Sequence, residues 1–398
     1  MSFKTTFIVV LKEMVSKLKK LLALTFLCLP ISAFCQLPTA GEYGAAPDEV
    51  LLNNGRNWHH RTSTSKNIQE LINREPTSQE LPIIERAKEL LANTSAKSIA
   101  MVDGNEVVWV GFKGPASDST RFLSFSVGKT VTSMGIGKAI CSGKLSLNSV
   151  AQDNVPELKG TDLGKSTVKD LLTMSSGTWL GNKDSTVYSP DQEFEINRGR
   201  MTWLDLLLTT KVNSAALDPL GNKRMPSQWF GYHDTDPLLL GVLINKTTGM
   251  SYANWIEKEV LLPAGISDHA VIGQDWSDYG IAMGNVRMTM NDWIRFALWV
   301  KNNEMKQDCF GAYVREASKT QIKNISKISG RYFEGYGYLT WTENRLLKDS
   351  YWAVGHGGQR IAWNHQNKRM LLAFSNVENY MDKLYALYAE WAILPSKD

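Results

Sequence analysis

Apolar residues form strand-like runs near both ends of the chain. A helical pattern over residues 80–94 leads into SIAMVDGNEVVWVGF at 98–112, where two apolar runs flank an Asp-Gly-Asn turn. Such a turn between apolar runs predicts a β-hairpin. Toward the C-terminus, three more strands and a closing helix are predicted at 335–341, 352–364, 369–376 and 381–393. The two ends of the chain are therefore each predicted to contribute to a sheet.

The middle of the chain, residues 126–305, has helical periodicity and long loops. Strands from both ends with helices between them predict an α/β (α+β) fold: one antiparallel sheet built from both chain ends, flanked by helices, with a helical insertion. Residues 36–85 are rich in Pro, Asn, Ser and Thr in their first part, and we expect an extended N-terminal arm there. Residues 86–398 then form the main domain.

The first 35 residues have the pattern of a targeting segment. MVSKLKK at 14–20 is basic, and LLALTFLCLPISAF at 21–34 is apolar but short for a bilayer span. Small residues at Ala33 and Cys35 suit a signal peptidase, while bulky Phe34 disfavours lipid attachment at Cys35. We therefore expect a signal peptide over residues 1–35, with Met14 as an alternative start, and a secreted or periplasmic protein.

Composition excludes several other classes of protein. The 398 residues are 43% hydrophobic and 21% charged, as in ordinary globular proteins, and a net charge of +4 without a basic tract gives no reason to expect a nucleic-acid partner. No later segment is apolar enough to predict a membrane span in the mature protein. Cys141 and Cys309 remain after signal removal; their pairing is left open, with unpaired core thiols favoured. The cysteines and histidines lack the spacing of metal ligands, so no metal or other cofactor is expected.

The stretch FLSFSVGKTVTS at 122–133 contains the first candidate chemistry. Ser126 and Lys129 are three residues apart and share a helix face, whereas Lys129 and Lys138 are nine apart and lie on opposite faces. The segment is otherwise apolar nearly all round, so one of the two lysines points inward, where it needs a partner or a use. GKT at 128–130 is no phosphate loop, because Leu123 stands where a glycine is required.

Spacing alone does not assign Ser126 a role. The same Ser-x-x-Lys pattern also begins at Ser16, Ser63 and Ser166. Ser126 could be a helix N-cap beside a lysine that reaches solvent. It could equally be a nucleophile at the N-terminus of a buried helix, where free N–H groups and the helix dipole favour developing negative charge.

Four ordered segments resemble the serine β-lactamase-like superfamily, in particular class C β-lactamases and their esterase, D-aminopeptidase and 6-aminohexanoate-dimer hydrolase relatives. The resemblance covers nearly everything from about residue 95 onward. These segments are FLSFSVGKTVTSMGIGKAICSGKLSLNSVAQDNVPEL with TVKDLLTMSSGTW at 122–179, FGYHDTDPLLLGVLINKTTGMSYANWIEKEVLLPAGI at 230–266, GNVRMTMNDWIRFALWV at 284–300 and GHGGQR at 355–360.

The resemblance implies catalytic roles for three side chains. Ser126 is then the nucleophile, Lys129 its partner and Tyr232 the motif tyrosine, with either Lys129 or Tyr232 as the general base. The backbone N–H groups of Ser126 and Gln359 would form the oxyanion hole. A core tyrosine packed with its aromatic neighbours is the alternative for Tyr232.

Two departures from the β-lactamase pattern bear on the substrate. The tyrosine motif has Asp234 where an amide or hydroxyl residue is usual, and His356-Gly357-Gly358 replaces Lys-Thr-Gly. We expect Asp234 and this turn to contact substrate, His356 either binding it or filling space, with Trp179 and Trp229 lining the site. An exported serine hydrolase cleaving small-molecule esters or linear amides is predicted; the alternative is a catalytically idle module that binds peptides or a protein partner.

Overall fold

A computed structural model of the chain describes residues 58–179, 190–217, 219–220, 228–326 and 329–396, which belong to one compact unit, Ala40–Asp398. The predicted signal peptide lies outside the described residues.

The helices of the described part vary widely in length, and the longest, of 13 to 15 residues, lie around the sheets. In chain order the α-helices are α1 Leu81–Asn93, α2 Gly128–Cys141, α3 Ala151–Asn154, α4 Val168–Leu172, α5 Pro190–Asn197, α6 Trp203–Leu208, α7 Thr235–Thr248, α8 Tyr252–Ile256, α9 Met290–Glu304, α10 Cys309–Ala317 and α11 Met381–Ala392. Single turns of 3₁₀-helix include Phe125–Val127 and His356–Gly358.

The strands form three sheets within the described residues. They are β1 His59–Arg61, β2 Ile72–Asn73, β3 Ala96–Asp103, β4 Glu106–Phe112, β5 Arg121–Leu123, β6 Thr178–Trp179, β7 Lys211–Val212, β8 Val271–Gly273, β9 Val286–Thr289, β10 Ile322–Lys323, β11 Phe333–Tyr336, β12 Trp341–Asn344, β13 Leu347–Gly355, β14 Gln359–Asn364 and β15 Arg369–Ser375.

The largest sheet has nine strands in the order β10-β11-β12-β13-β14-β15-β3-β4-β2, and every pair except β2–β4 is antiparallel. Its middle joins the chain ends directly: Leu372 of β15 lies opposite Ala100 of β3. The predicted antiparallel sheet from both termini, with flanking helices, is confirmed. Helix α2 is almost wholly buried and contacts α7, α10 and β13. The nucleophile candidate therefore sits at the start of a central helix.

Two strand predictions need correction. Residues 352–364 are not one strand, because Gly357 and Gly358 adopt φ of +75° and +98° and turn the chain back on itself. The turn separates β13 from β14, which pair antiparallel. Residues 335–341 likewise contain the ends of two strands, β11 and β12, around a short connection. Alternating apolar residues predicted strand conformation, but the glycine turn decided where each strand ends.

Residues before α1 contribute strands to two sheets. β1 pairs with β8 in a four-stranded sheet of order β1-β8-β9-β5, and β2 pairs with β4 of the large sheet. Buried charges then join this region to the C-terminal strands: Glu80, 1% exposed, bonds to Arg74 at 2.7 Å and to Arg369 at 2.8 Å. This network joins the segment before α1 to β15.

The expectation of unpaired core thiols is wrong. Cys141 and Cys309 form a disulfide between residues 168 positions apart. Cys141 is the last residue of α2, and Cys309 the first of α10. Because these two helices contact each other, the pairing was set by tertiary structure and left no signal in the cysteine spacing.

Candidate active site

The chain approaches Ser126 from β5 through a constrained backbone turn. Phe125 has φ +44°, an unusual conformation for a residue with a side chain. Ser126 follows in the 3₁₀ turn, and α2 begins at Gly128 without a side-chain cap. Ser126 is therefore not the N-cap of this helix. It is half-buried, so part of this residue is open to solvent.

Two glycines bring a second chain segment close to this turn. A Cβ on Gly128 would lie 2.9 Å from the Cα of Gly284, and one on Gly284 would lie 2.8 Å from the carbonyl oxygen of Phe125. Side chains would be excluded at both positions. The contact places the carbonyl group of Met283 beside the first turn of α2.

Lys129 bonds three groups across the site. Its Nζ donates to Ser126 Oγ at 2.9 Å, to Asp234 Oδ1 at 2.7 Å and to the carbonyl oxygen of Met283 at 2.9 Å. The lysine is 1% exposed, whereas Lys138, on the opposite face of α2, lies over the rings of Phe310 and Trp299. Lys129 is thus the inward-pointing lysine of the pair.

Electrostatics favour the charged form of this lysine. Burial alone would lower the pKa of Lys129, but the charge of Asp234, the proximity of Tyr232 and the hydrogen bond to Asp234 raise its pKa above the ordinary value. Removal from water normally disfavours an ammonium group, and a close carboxylate is what reverses that preference.

Tyr232 and Asp234 reach the site from the segment before α7. The Gly231 N–H donates to the Met174 carbonyl oxygen at 3.0 Å, which ties this segment to the loop after α4. Asp234 directly precedes α7 but does not cap it, so its carboxylate is available to Lys129. The Tyr232 ring centroid lies 5.1 Å from Lys129 Nζ. The structure therefore brings Ser126, Lys129, Tyr232 and Asp234 together.

Buried aromatic rings support Tyr232 from behind. Its ring centroid is 5.1 Å from that of Trp341 and 6.1 Å from that of Tyr336, both buried on β12 and β11. The sequence pattern indicated only a strand here and missed this support. Trp179 and Trp229 were expected to line the site. Their ring centroids lie 6.2 Å apart, and the ring centroid of Trp179 lies 5.9 Å from that of the buried His233. Trp229 is itself buried.

The His356-Gly357-Gly358 turn packs against the turn that contains Ser126. Its 3₁₀ turn contacts that of Phe125–Val127, and the His356 and Phe125 ring centroids are 5.5 Å apart. A Cβ on Gly355 would lie 2.5 Å from the Ser124 carbonyl oxygen, so the end of β13 abuts the turn that contains Ser126. His356 is exposed. Gln359, the first residue of β14, comes directly after this turn in the chain.

The Gln359 side chain stabilises this turn. It is 2% exposed, and its Nε2 donates to the carbonyl oxygens of His356 and Ser375, both at 2.8 Å. Its Oε1 accepts from the Ser375 N–H at 2.9 Å. These bonds connect the glycine turn to β15, a feature that the sequence did not indicate.

Within the described ranges, no cluster of three or more His, Cys, Asp and Glu side chains is arranged to hold a metal ion. The helices of the same ranges include none with the length and apolar character of a membrane span.

Comparison with known proteins places the chain in a family. The Beta-lactamase family profile matches residues 85–393, and the chain belongs to this family. A fold similarity covers 89% of this chain and 95% of a Bacillus anthracis protein assigned as a 6-aminohexanoate-dimer hydrolase, with TM-score 0.67 and 16% identity. A D-stereospecific amidohydrolase from Streptomyces sp. gives TM-score 0.59 at 17% identity, covering 79% and 99% of the two chains.

Sequence similarity to Protein flp of Staphylococcus aureus (strain COL) is more local. It is 28% identical over 156 residues, which is 38% of this chain and only 28% of that protein. The resemblance to this family that the sequence indicated is therefore confirmed.

Proposed function

We propose that this protein is an exported serine hydrolase that cleaves esters or linear amides through an acyl-enzyme on Ser126. The observation that carries the proposal is the buried Lys129 ammonium group 2.9 Å from the half-buried Ser126 hydroxyl group. A buried lysine is costly unless it is paired, and this one is paired with Asp234 and in addition donates to the serine. Tyr232 beside it supplies a group that can carry a proton.

The reaction uses the two sides of Ser126 differently. On one side Lys129 and Tyr232 manage the proton that the hydroxyl group loses as it attacks the scissile carbonyl group. On the other side the N–H groups of Ser126 and Gln359 stabilise the oxyanion of the tetrahedral intermediate. Phe125–Val127 contacts the turn before Gln359, which supports this assignment of the second donor.

Two features support the substrate class. Asp234 takes the place of a side-chain amide, and its charge is directed to Lys129 rather than to open solvent. His356-Gly357-Gly358 takes the place of the lysine-bearing strand, and its glycines allow the backbone to approach a substrate closely. We therefore expect neutral esters and linear amides to be better substrates than β-lactams, whose carboxylate group needs a cation. Trp179 is the candidate aromatic contact for the acyl group.

Export is part of the proposal. Disulfides persist in oxidising compartments, and the bond between Cys141 and Cys309 is consistent with passage outside the cytoplasm. The predicted signal peptide over residues 1–35 agrees with it. Measuring the N-terminus of the protein recovered from the periplasm or medium tests this, and an intact N-terminus in a cytoplasmic fraction would contradict it.

Labelling with a fluorophosphonate probe tests the nucleophile. Wild type should be labelled and Ser126→Ala should not, with Ser166→Ala as the matched control because Ser166 has the same Ser-x-x-Lys spacing. Equal labelling of wild type and Ser126→Ala would reject the assignment. Absence of labelling in both would favour the idle binding module.

The substrate class is tested on the same preparation. We expect kcat/KM for p-nitrophenyl butyrate to exceed that for nitrocefin, with Ser126→Ala as the blank. A clear preference for nitrocefin would mean that Asp234 and His356 do not have the effect on specificity described above.

A further inference from the structure

We propose that Asp234 is a positioning residue that holds Lys129 as a hydrogen-bond donor to Ser126, so that the serine proton leaves through Tyr232. The inference rests on the proposed acyl-enzyme function and divides the work between the two candidate bases. It assigns Asp234 to Lys129 rather than to the substrate.

The bonding of Lys129 is the first step of the argument. An ammonium group has three donors and no acceptor, and the Met283 carbonyl oxygen and the Asp234 carboxylate accept only. Both are satisfied by N–H groups of Lys129, and Ser126 Oγ takes the third at 2.9 Å. A neutral amine could make the same contacts by turning its lone pair toward Ser126.

The charge of Asp234 decides between these two states. If Lys129 were a neutral amine, the Asp234 carboxylate 2.7 Å away would lose its counter-charge. The site gives little water in exchange, since Lys129 is 1% exposed. Leaving one member of a buried ion pair charged and alone is strongly unfavourable. An amide or hydroxyl group, usual at this position in the resemblance noted above, would carry no such penalty. The substitution by Asp therefore fixes the protonation state of Lys129.

Other titratable groups around Lys129 do not change this conclusion. Those on neighbouring segments include Tyr232, His233, Asp236, Tyr252, Tyr313, Tyr336 and His356. Tyr252 and Tyr313 bond to Thr132 and Ser133 of α2, and burial raises the pKa of each phenol. Asp236 lies 3.4 Å from His233. Asp234 is the charged group that acts most strongly in favour of the ammonium form, and an ionised Tyr232 would favour the same form.

The proton inventory then balances through Tyr232. In acylation the Oγ–C bond forms and the bond to the leaving group breaks. The hydroxyl proton of Ser126 passes to the Tyr232 oxygen, and a proton from that oxygen passes to the leaving atom. In deacylation water attacks the acyl carbon, the bond between that carbon and Ser126 Oγ breaks, and one proton of the water passes to Oγ by the same route. Lys129 stabilises the developing alkoxide in both steps without gaining or losing a proton.

The decisive variant is Asp234→Asn, which keeps the shape and removes the charge. If Lys129 works as an ammonium group, activity is lost when it deprotonates, and removing Asp234 makes that happen at lower pH. We expect the alkaline limb of kcat/KM for p-nitrophenyl butyrate to move down by about one pH unit or more. If Lys129 were instead the neutral base, the same variant would raise kcat/KM at neutral pH and move the acidic limb down.

Either a rise at neutral pH or unmoved limbs would overturn the proposal. Asp236→Asn is the matched control, since Asp236 is a buried carboxylate two residues further on that contacts His233 rather than Lys129. The limbs of the kcat/KM–pH profile of Asp236→Asn should not move. A shift as large as that of Asp234→Asn would show that any lost carboxylate charge moves the profile, and it would also overturn the proposal. Wild type is first labelled with fluorophosphonate. A wild type that is not labelled would contradict the proposed function itself, and this outcome is distinct from a failure of the inference about Asp234.

Stability against pH gives a readout independent of turnover. In Asp234→Asn burial is no longer offset, so the pKa of Lys129 in the folded state falls below its value in the unfolded chain. Between those two values the unfolded chain binds more protons, and stability rises with pH. The melting-temperature deficit of Asp234→Asn should therefore narrow from pH 7 to pH 10. A deficit that is constant over this range would show that Asp234 does not set the state of Lys129.

Discussion

The Gln359 side chain offers a test of the oxyanion side of the site without touching the nucleophile. Gln359→Met keeps the length of the side chain and removes both its donors and its acceptor. The Ser375 N–H and the carbonyl oxygens of His356 and Ser375 then lose their bonds to it. The backbone N–H of residue 359 remains, but the turn that aims it is released.

The expected size of the Gln359→Met effect follows from the two proposed roles of the side chain, in stability and in aiming the backbone N–H. A buried polar group left without a partner costs about 1–3 kcal/mol in stability. Loss of one oxyanion donor costs about 10²–10³ in kcat. A turn that is loosened but not removed should lie near the lower limit, so we expect kcat for p-nitrophenyl butyrate to fall roughly 10²-fold. KM should change far less, since the donor matters most in the transition state.

The assay compares kcat, KM, melting temperature and the inhibition constant of a boronic acid that forms a tetrahedral adduct on the serine. Gln359→Met should lose affinity for the boronic acid in parallel with kcat. Gln321→Met, which removes a glutamine bonded to the Glu316 carbonyl oxygen, is the control for the substitution itself. A Gln359→Met protein with lowered stability but wild-type kcat would refute the positioning role.

Three further predictions concern other parts of the molecule. Tyr232→Phe should stay folded and lose about 10²–10⁴-fold in amide turnover, with a smaller loss on p-nitrophenyl acetate, whose leaving group needs no proton; equal losses would contradict a role for Tyr232 on the leaving-group side. Glu80→Gln should cost about 3 kcal/mol at pH 7, because burial raises the Glu80 pKa but the bonds from Arg74, the Thr77 N–H and Arg369 outweigh it and lower the pKa from 4.5 to about 2. That contribution is present above the unfolded pKa and lost as pH falls through about 2, so urea midpoints of the two proteins should converge in acid. Replacing both Cys141 and Cys309 by Ser should lower the free energy of unfolding by about 2–5 kcal/mol, and reductant should then have no further effect on the urea midpoint.

Local rules predicted those features that depend on neighbours in sequence. Ser126 and Lys129 share a face because they are three residues apart, and the Asp-Gly-Asn turn closes the β3–β4 hairpin. The buried character of α2 was evident from its nearly continuous apolar surface. Each of these could be derived from spacing and residue type.

Features set by long-range contacts could not be derived in that way. Lys129 and Asp234 are 105 residues apart, and nothing near Asp234 indicates that its carboxylate turns toward α2 rather than toward a substrate. The Cys141–Cys309 bond spans 168 residues. The turn at Gly357 and Gly358 divides an apolar run that alternates like one strand, because glycine permits a left-handed backbone without requiring it.

The site is divided into two halves held by separate sets of bonds. The half proposed to handle the proton depends on one ion pair between α2 and the segment before α7, with Met283 as a further acceptor. The half proposed to bind the oxyanion depends on backbone geometry between β13 and β14, which Gln359 ties to β15. Ser126 belongs to both, at a turn where Phe125 has a left-handed backbone. Asp234 neutralises the lysine, and His356-Gly357-Gly358 brings backbone rather than a lysine. In the proposed function both changes remove a cation from the substrate's surroundings, and this agreement between separate parts is the physical basis for proposing neutral esters and linear amides as substrates.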